Sequence, residues 1–232
     1  MKLELISATL KQPTWRECLD SWSKNTLHEW STRLMENDLT GQGLLESYQT
    51  AFEESSANIL GYVHDDVTVH DPLWYARVMQ EFNDPSVGLV GFCGALRLGH
   101  HDIYKIPYDP MQLARYEVMS NMTDAEKHGE RFKGSCDIST VDGFAMFIRR
   151  SALAEVGEWP VGTPIGYYMF DNWIAALMKR HGYRTRFLGV SCTHPGGATN
   201  GMGRGRDEWI AAHQFFYDEL KDVLPMSVKG PR

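Results

Sequence analysis

The strongest strand signal in the sequence is the apolar run ILGYV at residues 59–63, which stops abruptly at the polar triplet His64-Asp65-Asp66. A short and continuously apolar run is typical of a strand that is buried on both faces of a sheet. The triplet therefore marks the carboxyl end of this strand. Because ligands bind at the carboxyl ends of strands in helix-covered sheets, the triplet is the first candidate for a functional site.

Strands and helices are predicted to alternate on both sides of this run. The predicted strands cover residues 3–8, 30–35, 59–63, 87–92, 141–148 and 185–190. Helices are predicted between the first four strands, then at residues 151–156, 171–181 and 207–223. Residues 97–140 lose this rhythm and are predicted to be irregular, with one helix near residues 112–119. Since parallel neighbours need crossover connections, the alternation predicts an α/β fold with a mostly parallel sheet and helices on both faces.

The composition is that of an ordinary globular protein. The chain has 232 residues, of which 43% are hydrophobic and 23% charged, which excludes a disordered or collagen-like chain. Its net charge of −7 argues against broad electrostatic binding to nucleic acid. No apolar run approaches the roughly 18 residues of a membrane helix, and Glu4 interrupts the start, so we expect a cytoplasmic protein without a membrane span. The four cysteines lie far apart and are expected to be reduced thiols.

The polar triplet suggests a divalent cation site. Carboxylates at a strand end suit a hard cation that also binds phosphate oxygens, and burying two adjacent carboxylates without a cation would be costly. His194 closes the last predicted strand and would reach the same sheet edge, where manganese accepts both imidazole and carboxylate ligands. The alternatives are that Asp65 or Asp66 caps a turn and that His194 is a structural histidine.

Two further places in the sequence carry candidate functional residues. Asp171 stands where the aromatic stretch 167–170 meets a predicted helix, so its carboxylate could accept a proton from an attacking hydroxyl. It could equally cap the helix, which contributes about 1 kcal/mol. Arg204 and Arg206 lie in a glycine-rich loop that could close over a diphosphate, or could be a solvated surface loop.

In order and spacing, these features resemble the GT-A glycosyltransferases, in particular the large inverting family that uses nucleoside-diphosphate sugars. In that family an apolar strand runs into a carboxylate motif called DXD, as residues 59–67 do here. A strand and helix like residues 141–157 follow, then an acidic residue that opens a helix, as Asp171 does, and a strand that ends in histidine, as residues 190–194 do. The resemblance covers residues 1–200 and implies a Rossmann-like GT-A fold.

The resemblance also implies roles for individual residues. Asp66 and His194 resemble the ligands of a divalent metal, Mn²⁺ or Mg²⁺, with His64 as a further ligand, and Asp171 resembles the general base. The positions that correspond to contacts with the nucleotide-sugar donor are Thr9, Asn37, Asp38 and Asp65, and those that correspond to the acceptor are Gly143 and Phe144. By the same resemblance, residues 1–95 form the donor-binding half, residues 96–206 the acceptor-binding and catalytic half, and residues 207–232 a C-terminal helix and tail.

Several of these assignments have alternatives. His64 replaces the first acidic residue of DXD and could instead be a strand-end residue or a hydrogen-bond partner of a ligand. The acidic residue that the family usually has after its Gly-aromatic step is absent at residues 158–160. Asp38 could belong to a plain turn, and Gly143 with Phe144 to a buried strand.

The function that this resemblance implies is metal-dependent transfer of a sugar, with inversion, to the hydroxyl of a saccharide, a protein or a hydroxylated DNA base. Two alternatives use the same residues. One is a metal-dependent nucleotide phosphohydrolase, in which the His and Asp cluster activates water. The other is a non-catalytic module that binds sugar nucleotides.

Overall fold

The computed structural model describes residues 1–9, 12–24, 30–100, 113–123, 129–195 and 205–231. The strands are β1 Leu3–Thr9, β2 Ser31–Glu36, β3 Ile59–Val63, β4 Thr68–Val69, β5 Val87–Gly91, β6 Cys93–Leu98, β7 Arg115–Ser120, β8 Glu130–Arg131, β9 Ser135–Ile138, β10 Thr140–Val141, β11 Ala145–Arg149, β12 Arg184–Leu188, β13 Cys192–Thr193 and β14 Met226–Ser227. The helices are α1 Gln12–Ser23, α2 Asn37–Thr40, α3 Leu44–Glu54, α4 Trp74–Glu81, α5 Arg150–Val156, α6 Phe170–Arg180 and α7 Arg206–Leu220. Among these described helices, none combines the length and the apolar character that crossing a membrane requires.

The main sheet has seven strands in the order β2-β1-β3-β11-β5-β12-β9. β1 pairs in parallel with β2 and β3, and β5 pairs in parallel with β12. β11 runs antiparallel between β3 and β5, and β9 runs antiparallel to β12. The predicted α/β class with a mostly parallel sheet is therefore confirmed. The antiparallel direction of β11 was not predicted, because the apolar pattern of a strand carries no information about its direction.

Helices cover both faces of the sheet, as predicted, and the residues of β3 alternate between the two cores. Leu60 and Tyr62 belong to a cluster that contains the buried faces of α3, α5, α6 and α7. Ile59 and Val63 belong to a second cluster, which contains the buried faces of α1 and α4. Gly61 leaves space for its neighbours, since a Cβ there would be 2.7 Å from Leu5 Cδ2 and 2.9 Å from the ring of Phe147 on β11. Both faces of β3 are thus buried, and the polar triplet follows at its carboxyl end.

A second sheet has the order β10-β6-β7-β8, with β14 also paired to β6. Its strand β7 overturns the predicted helix at residues 112–119. Residues 115–120 instead pair antiparallel with β6, from Arg115 opposite Leu98 to Ser120 opposite Cys93. The spacing of apolar residues allowed a helix, but hydrogen bonds to the neighbouring strand, which are tertiary interactions, decide the outcome. The single strand predicted at residues 141–148 is likewise divided into β10 and β11 by a turn at residues 142–144.

Candidate active site

Three potential metal ligands meet beyond the carboxyl end of β3. His64 and Asp66 follow this strand, and His194 follows β13. His64 Nδ1 lies 3.2 Å from His194 Nε2, and the same Nε2 lies 3.3 Å from Asp66 Oδ1. One ligand atom from each residue lies within 4.8 Å of the other two. The structure thus brings together the three residues for which the sequence predicts metal binding.

The chemistry of this histidine-aspartate cluster fits a divalent cation. Asp66 Oδ1 is a buried oxygen that has no hydrogen-bond partner among the described residues, and such an oxygen is costly unless a cation or donor compensates it. Burial, reinforced by the adjacent His194, lowers the pKa of His64, so its imidazole is in the neutral form that ligates metals. Burial opposes ionisation of Asp66, but its contact with His194 outweighs burial and holds the pKa of Asp66 below its ordinary value.

Two neighbouring elements hold the histidine-aspartate cluster in place. The antiparallel pairing of β13 with β4 places His194 beside Asp66. The backbone N–H of His64 donates to the carbonyl of Phe144 at 2.8 Å. The ring of Phe144 stacks on His194 with centroids 4.8 Å apart, and Phe144 itself is buried. Phe144, which was predicted near the acceptor, is therefore in contact with both histidines from the protein interior.

The predicted donor-binding residues lie at the carboxyl ends of three adjacent strands. Thr9 ends β1, and its hydroxyl donates a hydrogen bond to Asp65 Oδ2 beyond β3. The thiol of Cys18 donates to the backbone carbonyl of Asp65 at 2.8 Å. Asn37 follows β2, and its Oδ1 accepts a hydrogen bond from Ser47 Oγ at 2.8 Å. Thr9 and Asp65 are thus in contact, and Asn37 stands on the adjoining strand end.

The remaining predicted donor contacts are only partly covered by the structure. The backbone of Asp38 lies in α2, and its side chain is outside the described part of the chain. Arg204 is also outside the described residues. Arg206 is the first residue of α7 and is exposed, and no described hydrogen bond or ion pair joins it to the other predicted site residues. Their predicted contact with a diphosphate stays a prediction.

A second cluster joins two carboxylates through one arginine. Nη1 of Arg115, on β7, donates to Asp142 Oδ2 at 3.0 Å, and Nη2 donates to Asp171 Oδ2 at 2.6 Å. Its Nε donates to Asn172 Oδ1 at 3.2 Å. The hydroxyl of Thr140 donates to the same amide oxygen at 2.6 Å. We call Arg115, Asp142, Asp171 and Asn172 the arginine cluster.

Asp171 is held by the backbone as well as by Arg115. It lies in the first turn of α6, which begins after Met169, so Asp171 is not the cap residue of that helix. Its Oδ1 accepts the N–H of Asn172 at 2.7 Å, and its Oδ2 accepts the N–H of Gly143 at 3.0 Å. Gly143 has no room for a side chain, because a Cβ there would be 2.3 Å from Phe170 Cζ. Gly143, predicted near the acceptor, is thus a backbone donor to the predicted base.

Asp142 connects the two clusters. It opens the turn 142–144, whose Gly143 contacts Asp171 and whose Phe144 contacts the two histidines. Burial would raise the pKa of Asp142, but Arg115 and then His64 outweigh it and hold the pKa below its ordinary value. Sequence reasoning missed both Arg115 and Asp142. Asp142 was detectable as an acidic residue before a glycine at a strand break, whereas Arg115 becomes visible only when β7 pairs with β6.

Comparison with known protein families finds a match over most of the chain. The model of the Glycosyltransferase like family matches residues 39–191. A search of curated protein sequences finds no significant match.

Solved structures with a similar fold are glycosyltransferases at low sequence identity. The mannosyltransferase PcManGT from Pyrobaculum calidifontis, in complex with GDP-Man and Mn²⁺, has a TM-score of 0.58 and 14% identity over 99% of this chain and 65% of its own. GalNAc-T7 with UDP, GalNAc and Mn²⁺ has a TM-score of 0.64 and 13% identity over 96% of this chain and 49% of its own. S. aureus TarS 1-349 with UDP-GlcNAc has a TM-score of 0.60 and 10% identity over 94% and 66%. The chain spans about half to two-thirds of the length of these structures.

Proposed function

The chain belongs to the Glycosyltransferase like family and has the GT-A fold, and on that premise we propose that it transfers a sugar from a nucleoside-diphosphate sugar to an acceptor hydroxyl with the help of a divalent cation. The observation that carries this proposal is the histidine-aspartate cluster at the carboxyl edge of the sheet. Its buried Asp66 Oδ1 has no hydrogen-bond partner among the described residues. It faces His194 Nε2 at 3.3 Å, which is a contact that a shared cation would stabilise.

In this proposal Asp66 and His194 hold the cation, with His64 as a third ligand. Mn²⁺ suits a set of two imidazoles and one carboxylate better than Mg²⁺ does, since Mg²⁺ prefers oxygen ligands. The chemistry that a bound cation supplies at such a site is Lewis-acid stabilisation of the departing diphosphate. Three of the neighbours with this fold contain GDP-Man, UDP or UDP-GlcNAc, and two contain Mn²⁺, which supports the choice of donor class and metal.

In this proposal the donor is held at the carboxyl ends of β1, β2 and β3, next to the histidine-aspartate cluster. Asp65, fixed by the Thr9 hydroxyl and the Cys18 thiol, contacts the ribose or the donor sugar. Asn37 and Asp38 contact the nucleotide at the end of β2, and Arg204 with Arg206 bind the diphosphate when the donor is present. A guanidinium suits this task because it binds phosphate oxygens through two parallel hydrogen bonds.

Asp171 is the general base of the proposed reaction. Its Oδ2 is occupied by Arg115 and Gly143, whereas Oδ1 accepts only the Asn172 N–H among the described residues. A carboxylate oxygen has two lone pairs, so Oδ1 retains one for the proton of the attacking hydroxyl. A single displacement of this kind inverts the configuration at the anomeric carbon. The acceptor, which is a saccharide, a protein or a hydroxylated DNA base, is bound by residues 96–206, beyond the turn 142–144.

The test is thermal unfolding of the wild-type chain with GDP, UDP and their sugar conjugates, each with and without Mn²⁺. A ligand that binds the native state raises the melting temperature, so the matching nucleotide should act strongly only with Mn²⁺. The donor that this screen identifies is then incubated with saccharide, protein and hydroxymethylated DNA acceptors, and the anomeric configuration of the product is read by NMR. Inverted, acceptor-dependent product is the expected result.

One control variant and two alternative outcomes complete this test. His181→Ala removes an exposed histidine that bonds only the carbonyl of Leu177 in the described structure, so it should behave like the wild type. Sugar or phosphate release at the same rate with and without acceptors would reveal a hydrolase instead. Tight nucleotide binding without turnover on any acceptor would reveal a binding module and end the proposal.

A further inference from the structure

Arg115 is the positive charge at the centre of the arginine cluster, and two segments from distant parts of the chain meet on it. Asp142 and Asp171 bind the two terminal nitrogens of its guanidinium, and Asn172 binds Nε. The side chain of Asp171 is 12% exposed and that of Asp142 36% exposed, so solvent screens the two negative charges only partly. A planar guanidinium that binds two carboxylates at once also fixes their relative orientation.

Among the residues that the structure describes, the other ionisable groups around the two carboxylates do not replace this charge. His213 on α7 faces Asp171, and burial lowers the pKa of His213, which favours its neutral form. Asp142 faces His64 and His194 from the histidine-aspartate cluster, and burial lowers the pKa of His64 as well. Cys93 on β6 lies near Asp142, and burial raises the pKa of its thiol, so it stays uncharged.

We propose that Arg115 is a positioning residue for sugar transfer, whose guanidinium compensates the charges of Asp142 and Asp171 and fixes the carboxylate of Asp171 in the orientation of a general base. This inference rests on the proposed role of Asp171. Two neighbouring carboxylates without a shared cation disfavour each other's ionisation, so that one of them retains a proton at pH values where both would otherwise be charged. A protonated Asp171 cannot accept the proton of the attacking hydroxyl.

The first test detects the proton that the two carboxylates retain without Arg115, and it needs no catalytic assay. Melting temperatures of the wild type, Arg115→Gln and Arg115→Gln/Asp142→Asn are compared between pH 4.5 and 7.5. Without Arg115 the folded state retains a proton that the unfolded chain releases near pH 4, so stability falls as the pH rises. The deficit of Arg115→Gln should therefore be about 4 °C larger at pH 7.5 than at pH 4.5, which is measurable for a chain of this length. The added Asp142→Asn change should remove this pH dependence.

Arg97→Gln is the matched control, because Arg97 forms an exposed ion pair with Glu117 between the same two strands, β6 and β7. Its melting temperature should differ from that of the wild type by a similar amount at both pH values. An Arg115→Gln deficit that is equal at both pH values would show that Arg115 only packs, and would overturn the inference while leaving the proposed function standing.

The second test separates charge from geometry in the transfer reaction. In Arg115→Gln the acid limb of the kcat profile should move up by at least about one pH unit, since the base keeps its proton to higher pH. Arg115→Lys retains the charge but not the planar fork, so its acid limb should stay in place while kcat falls at least about tenfold and KM for the donor changes little. An unshifted acid limb in Arg115→Gln, or a wild-type kcat in Arg115→Lys, would overturn the positioning role.

Discussion

The histidine-aspartate cluster and the arginine cluster differ in how their carboxylates are compensated. In the first, Asp66 Oδ1 is buried without a hydrogen-bond partner among the described residues and faces an imidazole that is not a fixed charge. In the second, Asp142 and Asp171 both bind the guanidinium of Arg115, which is a permanent charge within the chain. In the proposed function the first cluster binds an external cation, whereas the carboxylates of the second are compensated within the chain.

This difference predicts that each cluster controls a different measurable property. Binding of metal and nucleotide should depend on the histidine-aspartate cluster, and proton transfer should depend on the arginine cluster. The turn 142–144 contacts both, so it is the place where the two dependences meet. Substitutions in either cluster, and in the turn, therefore test whether the division is real.

The largest effect is expected from Asp171→Asn. The amide retains the shape of the carboxylate but cannot accept the proton, so kcat should fall by about 10² to 10⁴-fold, the usual contribution of a general base. The rise in melting temperature with nucleotide and Mn²⁺ should remain, because the metal cluster is intact. Asp218→Asn, an exposed change on α7, is the control for both measurements. Turnover at the wild-type rate in Asp171→Asn would show that Asp171 is not the general base.

Asp66→Asn should weaken Mn²⁺ binding, which Asp171→Asn leaves intact. With Mn²⁺ at about 100 times its Kd, a single site stabilises the native state by about 2.7 kcal/mol, and this stabilisation should be lost when the anionic ligand is neutralised. Calorimetric titration of Mn²⁺ into the nucleotide-bound protein measures the same loss directly. A variant that binds Mn²⁺ as tightly as the wild type would mean that the cation, if it binds, is held elsewhere.

The sequence was informative about the first cluster because its residues are tied to strand ends. His64 and Asp66 directly follow the most apolar strand, so the sheet places both at its carboxyl edge. His194 was expected to close the strand predicted at residues 185–190, but it follows β13, which pairs with β4 in a separate sheet. The α/β class and the helices on both faces followed from the same alternation. Local pattern was sufficient for His64 and Asp66, because the strand that precedes them fixes their position.

The second cluster could not be predicted, because the position of Arg115 depends on the pairing of β7 with β6, which no local sequence pattern indicates. Arg115 reaches Asp142 and Asp171 only because residues 115–120 extend along β6, where a helix was expected. The antiparallel β11 has a similar origin, since its neighbours β3 and β5 determine its direction. In both cases long-range hydrogen bonds, rather than the local pattern, decide the outcome.

Gly143→Ala should damage both clusters together. The new Cβ would lie 2.3 Å from Phe170 Cζ, so the turn or the ring must shift, at a cost of about 1–3 kcal/mol in the free energy of unfolding. Because the Phe170 ring is buried, we expect the turn to shift, which withdraws the Gly143 N–H from Asp171 and displaces Phe144 from the histidines, so kcat and Mn²⁺ affinity should fall together. Chemical denaturation and Mn²⁺ titration measure the two effects. Loss of only one of them would show that the clusters are coupled less closely than the turn indicates.

Phe144→Leu should produce the smallest and most selective change. Its ring stacks on His194, and leucine would fill much of the same space without holding the imidazole plane. Groups that orient a metal ligand commonly contribute 10 to 100-fold to affinity, and we expect about tenfold weaker Mn²⁺ binding here, which is about 1.4 kcal/mol. The control is Phe215→Leu, which removes a similar stack on Trp173 away from the histidine-aspartate cluster and should leave Mn²⁺ affinity unchanged.

Because the N–H of Gly143 and the guanidinium of Arg115 still bind Asp171, kcat at saturating Mn²⁺ should be retained in Phe144→Leu. A fall in kcat that added Mn²⁺ does not restore would mean that the metal site and the base are not separable.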